Sequence, residues 1–114
     1  MSKSPNPYLQ HILESIGHIQ DDLRDIKVEQ FLTNRMRQSA VIRELEIVGE
    51  AAGKLEEEFK VSHPNIPWRQ IIGMRNRLTH EYWDVDLVKI YNVCTGEILD
   101  LQKEILKVLE GVGK

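Results

Sequence analysis

Arg75 to Tyr82 reads RNRLTHEY, which places two guanidiniums, an amide, a hydroxyl, an imidazole and a phenol within eight residues. Arginine suits a phosphate because its planar fork donates two parallel hydrogen bonds and stays charged at cellular pH. Histidine has an ordinary pKa of ~6.5, so it can both take and give a proton near neutrality. Together they are a minimal kit for phosphodiester cleavage. One group moves the proton of the nucleophile or the leaving oxygen, and the other stabilises the developing negative charge. A solvated helix face rich in arginine would present the same residue types without any chemistry.

Spacing limits what these residues can do alone. On a continuous helix Arg75 and His80 point ~140° apart and lie ~7.5 Å apart along the axis, whereas Arg75 and Tyr82 share a face. Either the helix breaks near Thr79–Glu81, as Asp84 in the role of a new N-cap would suggest, or a second subunit completes the site.

The elements that must hold the motif are helical. Asn6-Pro7 begins a first helix, with proline at a position that needs no amide donor. Leu9, Ile12, Leu13, Ile16, Ile19, Leu23 and Ile26 form its apolar stripe, and it ends near Lys27. A second helix is predicted from Glu29 to Phe59, ~45 Å long, with a break expected near Arg35–Gln38. Its stripe is Val41, Leu45, Val48, Ala52, Leu55 and Phe59. Gly49 and Gly53 lie one turn apart on it. Glycine inside a helix costs ~1 kcal/mol relative to alanine, which predicts close approach of another backbone there unless both are tolerated surface positions.

Pro64 and Pro67 stop that helix within Ser62–Pro67. A third helix spans Pro67 to Thr79, and a fourth begins at Asp84, with Asp86 in its first turn. Leu87, Tyr91, Cys94, Ile98, Leu101, Ile105 and Val108 step by four and three along it, as bundle packing requires. No stretch alternates as a strand. Residues 1–114 are therefore expected to form a single all-α domain, an up-and-down bundle of four to five helices.

Composition narrows the class of protein. The chain has 114 residues, 15 Lys+Arg against 18 Asp+Glu, a net charge of −3, and 41% hydrophobic residues. That is ordinary for one soluble domain. A lone cysteine, Cys94, rules out an internal disulfide framework and a cysteine-built zinc site. Without an apolar N-terminal region or a membrane-length apolar run, a cytoplasmic protein is expected. Mild acidity argues against strong non-specific nucleic-acid binding, but the charge is uneven. Glu44, Glu46, Glu50, Glu56, Glu57 and Glu58 surround only Lys54. Arg35, Arg37 and Arg43 form one basic zone, and Arg69, Arg75 and Arg77 form another, opposed by Glu81 alone.

The motif and its surroundings resemble the HEPN superfamily, specifically the HepT-like ribonuclease toxins. The resemblance rests on R-x4-H-x-Y, here Arg75, His80 and Tyr82, with polar Asn76 after the arginine. It extends to Glu46–Leu55 (EIVGEAAGKL), to Pro64–Trp68 (PNIPW), to Ile72–Asn76 (IGMRN), and to Val85 and Asp86. Thr79, where an apolar residue is common, is a minor departure. The resemblance implies a metal-independent endoribonuclease without a cofactor, the toxin of a pair whose antitoxin is a minimal nucleotidyltransferase. Arg75 and His80 would be catalytic, Asn76 and Arg77 auxiliary RNA-binding groups, and Tyr82 the hydroxyl to which the partner transfers AMP. A bulky anionic nucleotide two residues from His80 would block the cleft and repel phosphate.

One further expectation comes from the chemistry. A protomer offers one motif histidine, yet acid–base cleavage of RNA benefits from two proton-transfer groups. A two-fold dimer pairing two third-helix ends supplies two histidines and two arginines, so a homodimer using the RNA 2′-hydroxyl as nucleophile is expected. A non-catalytic helical module that binds a nucleotidyltransferase, RNA or a nucleotide would use the same residues without cutting.

Other candidates have plainer readings beside them. His11 and His18, near Asp21, Asp22 and Asp25, could hold a cation but read as a solvated helix face. His63 falls in a turn. Cys94 sits in an apolar stripe, where packing outweighs catalysis. Trp68 and Trp83 flank the motif and could stack on a base or pack in the core. Tyr82 could also be a packing residue. Glu50 could steady Arg75 from the neighbouring helix.

Overall fold

A computed structural model describes residues 4–81 and 84–111. Its elements are α1 (Asn6–Asp22), α2 (Val28–Leu32), α3 (Arg35–Gly53), α4 (Glu57–Ser62), α5 (Trp68–His80), α6 (Leu87–Thr95) and α7 (Glu97–Gly111). No strand occurs among the described residues. The all-α expectation holds, but the long second and fourth helices are subdivided.

The expected second helix is three. Asn34 adopts extended backbone, and its side-chain oxygen accepts the Arg37 amide at 3.0 Å, so α3 starts there, just before the anticipated break. At the other end α3 stops at Gly53, Glu56 is extended, and α4 restarts at Glu57. Leu55 lies in this gap yet is buried, because the apolar stripe continues into the core although the helix does not. The first helix also ends earlier than expected, at Asp22 rather than near Lys27. Arg37 of α3 donates to the carbonyl of Asp22, satisfying an acceptor that the last turn leaves free.

Asp86, not Asp84, caps the helix after the motif. The Asp86 carboxylate accepts the Lys89 amide at 3.1 Å, while the Asp84 amide is engaged by the Glu81 carbonyl at 2.9 Å in the turn leaving α5. The expected fourth helix is interrupted at Gly96, dividing it into α6 and α7. Its stripe still faces inward: Cys94, Ile98, Leu101 and Ile105 are buried.

α3 is the central element, with α1 on one side and α5 on the other, while α7 packs on α1. Leu9, Ile12, Ile16 and Ile19 of α1 meet Val41, Leu45 and Val48 of α3 and Ile98, Leu101 and Ile105 of α7 in one continuous core. His18 and Glu44, 3.2 Å apart, bridge α1 and α3 at the surface. Tyr91 of α6 donates to the Ile26 carbonyl at 2.6 Å and packs its ring against Phe31, pinning α2 and the preceding loop.

The two α3 glycines behave differently. A methyl group at Gly49 would overlap the Cβ of Arg75 and come within 3.2 Å of the Ile71 carbonyl oxygen, so α5 lies directly on this position. Nothing lies within 4 Å of such a group at Gly53, and the expected close approach does not occur there. Gly49→Ala should lower stability by ~1–2 kcal/mol, because overpacking costs ~1–3 kcal/mol and better helix propensity returns at most ~1 kcal/mol. Gly53→Ala should be neutral or up to ~1 kcal/mol stabilising. Chemical denaturation of the two variants checks this, and equal midpoints would contradict it.

Candidate active site

Arg75 to His80 occupy the last turns of α5, which runs antiparallel to α3. Two contacts set its position: Gly49 faces Arg75, and Glu46, one turn earlier on α3, accepts a hydrogen bond from the Thr79 hydroxyl at 2.9 Å. The close seat at Gly49 allows the arginine stem to lie against the α3 backbone. The Glu46–Thr79 bond then ties down the turn that ends on His80. Of these supports, only the close approach near Gly49 was expected from sequence. Glu46 sat in an acidic run that reads as solvated surface, and its one signal is its position three residues before that glycine.

α5 ends at His80 with Glu81 as its C-cap, within the stretch Thr79–Glu81 where a break is expected, but it is continuous from Arg75 to His80. Their Cα positions therefore diverge by ~140° around the axis. The side chains partly close that gap. The Arg75 guanidinium donates to Asn76 Oδ1 at 3.0 Å, which turns it toward the side of α5 where Asn76 and His80 sit one turn apart. Arg75 is half-buried, while Asn76 and His80 are exposed. A half-buried cation held by Asn76, one turn before an exposed imidazole, is the polarity that anion binding with proton transfer requires.

Arg77 is not part of this group. It lines an adjoining groove of about 450 Å³ between α5 and α6 whose charged lining is Arg77 and Lys89 against Glu81, Asp84, Asp86 and Glu97. Glu50 is exposed and forms no hydrogen bond or ion pair with Arg75. Trp68 is buried, donates its indole N–H to the His63 carbonyl at 3.1 Å and meets Phe59 edge-on, so it is a packing residue. His63 stacks on Phe59 in the turn before α5. Tyr82 and Trp83 lie outside the described residues.

Two remaining candidates are settled by their surroundings. Cys94 is buried, and burial pushes its thiol pKa up to about 12, so almost no thiolate forms near neutrality. It is a core residue. His18 pairs with Glu44 rather than with the nearby aspartates. No group of three or more potential metal ligands occurs among the described residues. No helix among them is long and apolar enough to cross a membrane.

The sequence that builds this helical scaffold matches a known family. The family described as "Ribonuclease HepT-like" matches residues 12–108, and the chain belongs to it. "Putative RNase TTE0752" of Caldanaerobacter subterraneus is 37% identical over 108 residues, covering 95% of this chain and 96% of that protein. "Probable ribonuclease HepT" of Thermococcus cleftensis is 39% identical over 108 residues, covering 95% of this chain and 98% of its own. "Gamma-glutamylcyclotransferase and putative RNase MJ0434" of Methanocaldococcus jannaschii is 40% identical over all 114 residues, and the chain spans 51% of that longer protein. No solved structure matches the chain.

Proposed function

We propose that the chain is a metal-independent endoribonuclease that cleaves RNA with Arg75 and His80 in a cleft between two copies of itself. The observation that supports this most is the Arg75–Asn76 hydrogen bond, which brings a fixed guanidinium to the His80 side of α5.

The chemistry follows from what those groups can donate and accept. The RNA 2′-oxygen attacks the adjacent phosphorus as its proton passes to a base, and the bond to the 5′-oxygen breaks as an acid protonates it. Arg75 faces the non-bridging oxygens, where charge grows in the transition state. One imidazole per protomer serves one of the two proton transfers, and His80 of the partner subunit serves the other. Asn76 orients the guanidinium, and Arg77 is an outer RNA contact from the neighbouring groove. DNA, lacking the 2′-hydroxyl, is spared.

Family membership supports the further reading that this is a cytoplasmic toxin restrained by a minimal nucleotidyltransferase. AMP joined to Tyr82 would place a charged, bulky group two residues from His80 and repel the substrate phosphate.

Subunit mixing tests the shared cleft. When wild-type protein and His80→Ala are equilibrated in equal amounts, only about one quarter of random dimers carry two histidines. Cleavage should then fall to about one quarter of the activity of the same total amount of wild-type protein. A fall to only one half would show that each protomer acts alone.

A further inference from the structure

Next to the acidic groove, and sharing Gly73 with it, α4 and α5 enclose a second open groove of about 490 Å³. Its α5 wall is Arg69, Ile72, Gly73 and Asn76, and Lys60 of α4 lines the other side. By helical geometry this is the face that leads on to His80, ~16 Å along the axis from Arg69. The groove is thus continuous with the candidate site through Asn76, which the Arg75 guanidinium already contacts.

The two grooves differ in charge. The one beside Arg77 carries four carboxylates against two cations, whereas this one carries Arg69 and Lys60 against Glu57. Arg69 is exposed and has no hydrogen bond or ion pair among the described residues. Lys60 Nζ stands 3.8 Å from the carboxylate of highly exposed Glu57, while the Lys60 side chain itself is only 15% exposed and lies along the groove wall. At that distance the two groups form no hydrogen bond, so the ammonium keeps its donors for an incoming phosphate. The first turn of α5 contains no acidic residue to oppose an anion near Arg69.

We propose that the α4–α5 groove is the track for the sugar–phosphate backbone flanking the scissile bond, with Arg69 and Lys60 as phosphate contacts remote from the chemistry. This deepens the ribonuclease reading and rests on it. Phosphate contacts of this type position the strand without reading its sequence. They explain how a chain of net charge −3 holds a polyanion: cations are concentrated along one groove that leads to the candidate site rather than spread over the surface.

The test is equilibrium binding of a labelled single-stranded oligoribonucleotide carrying 2′-deoxy substitutions, which cannot be cleaved through a 2′-hydroxyl. Fluorescence anisotropy is followed across a salt series. Arg69→Ala should raise Kd about 5- to 10-fold, and Arg69→Glu more. Arg69→Ala should reduce the slope of log K against log salt by ~0.7, the value for one lost single-strand phosphate contact. Lys103→Ala, the same charge change on exposed α7, should shift Kd less than twofold. Unchanged Kd and slope in both Arg69 variants would overturn the proposal, as would an equal effect of Lys103→Ala. His80→Ala separates binding from chemistry: it should bind this oligonucleotide like the parent yet fail to cut its all-ribose counterpart.

Discussion

His80→Ala is expected to lower RNA cleavage by ~10²–10⁴-fold, the usual range for losing a positioned general acid or base, with little change in stability. His80 is the last residue of α5 and is exposed. Neither hydrogen bonds nor ion pairs with described residues depend on it, and surface changes of this kind stay within ~0.5 kcal/mol. Loss of activity with an unchanged unfolding midpoint would therefore report chemistry, not collapse. Initial rates on an oligoribonucleotide beside a denaturation curve provide both readings. If His80→Ala retained more than a tenth of the parental rate, the imidazole would not be the proton-transfer group.

The second large effect concerns the cation. Arg75→Ala should cost ~10²–10³-fold in turnover, as expected when a fixed transition-state donor is removed. Arg75→Lys is the sharper variant. It keeps a positive charge and an aliphatic stem against Gly49, but it loses the planar fork that reaches both Asn76 and a phosphate. If charge alone mattered, the lysine variant would match the parent. The geometry predicts instead that it recovers less than about a tenth of the activity, because an ammonium is not held to the His80 side of α5 in the same way. Single-turnover rates at saturating RNA distinguish these cases, and near-parental activity in Arg75→Lys would contradict the role given to the Asn76 contact.

Much of this arrangement is legible in the residues. The apolar stripes locate the core: Leu9, Ile12, Ile16 and Ile19 on α1 and Val41, Leu45 and Val48 on α3 are buried as their spacing requires. Stripes do not report helix continuity. Leu55 and Ile98 keep facing inward across the interruptions after Gly53 and at Gly96, so periodicity alone joins segments that the backbone separates. Capping is ambiguous for a related reason. Asp84 and Asp86 are equally good caps by type, and only the amide that each chain turn leaves free decides between them.

The site shows the same division. Residue chemistry marks Arg75 and His80, and a costly helical glycine announces a close approach. Sequence spacing cannot show that the approaching residue at Gly49 is Arg75 itself, or that Glu46 reaches Thr79, because both are contacts between helices distant in the chain. Nor does it show which groove each neighbouring arginine lines. Arg77, two residues from Arg75, lies in the acidic groove, whereas Arg69, six residues away, lines the groove that leads to His80. Helical rotation of ~100° per residue makes sequence proximity a poor guide to shared surface.

The most direct measurement of the central claim is the identity of the product ends when purified protein cleaves RNA in the presence of EDTA. Attack by the 2′-oxygen leaves a 2′,3′-cyclic phosphate on one fragment and a 5′-hydroxyl on the other, so these ends are predicted at an undiminished rate, with no cut at a single 2′-deoxy position. Cleavage abolished by the chelator, ends bearing a 5′-phosphate and 3′-hydroxyl, or equal background degradation by the parent, Arg75→Ala and His80→Ala would each contradict metal-independent catalysis by Arg75 and His80.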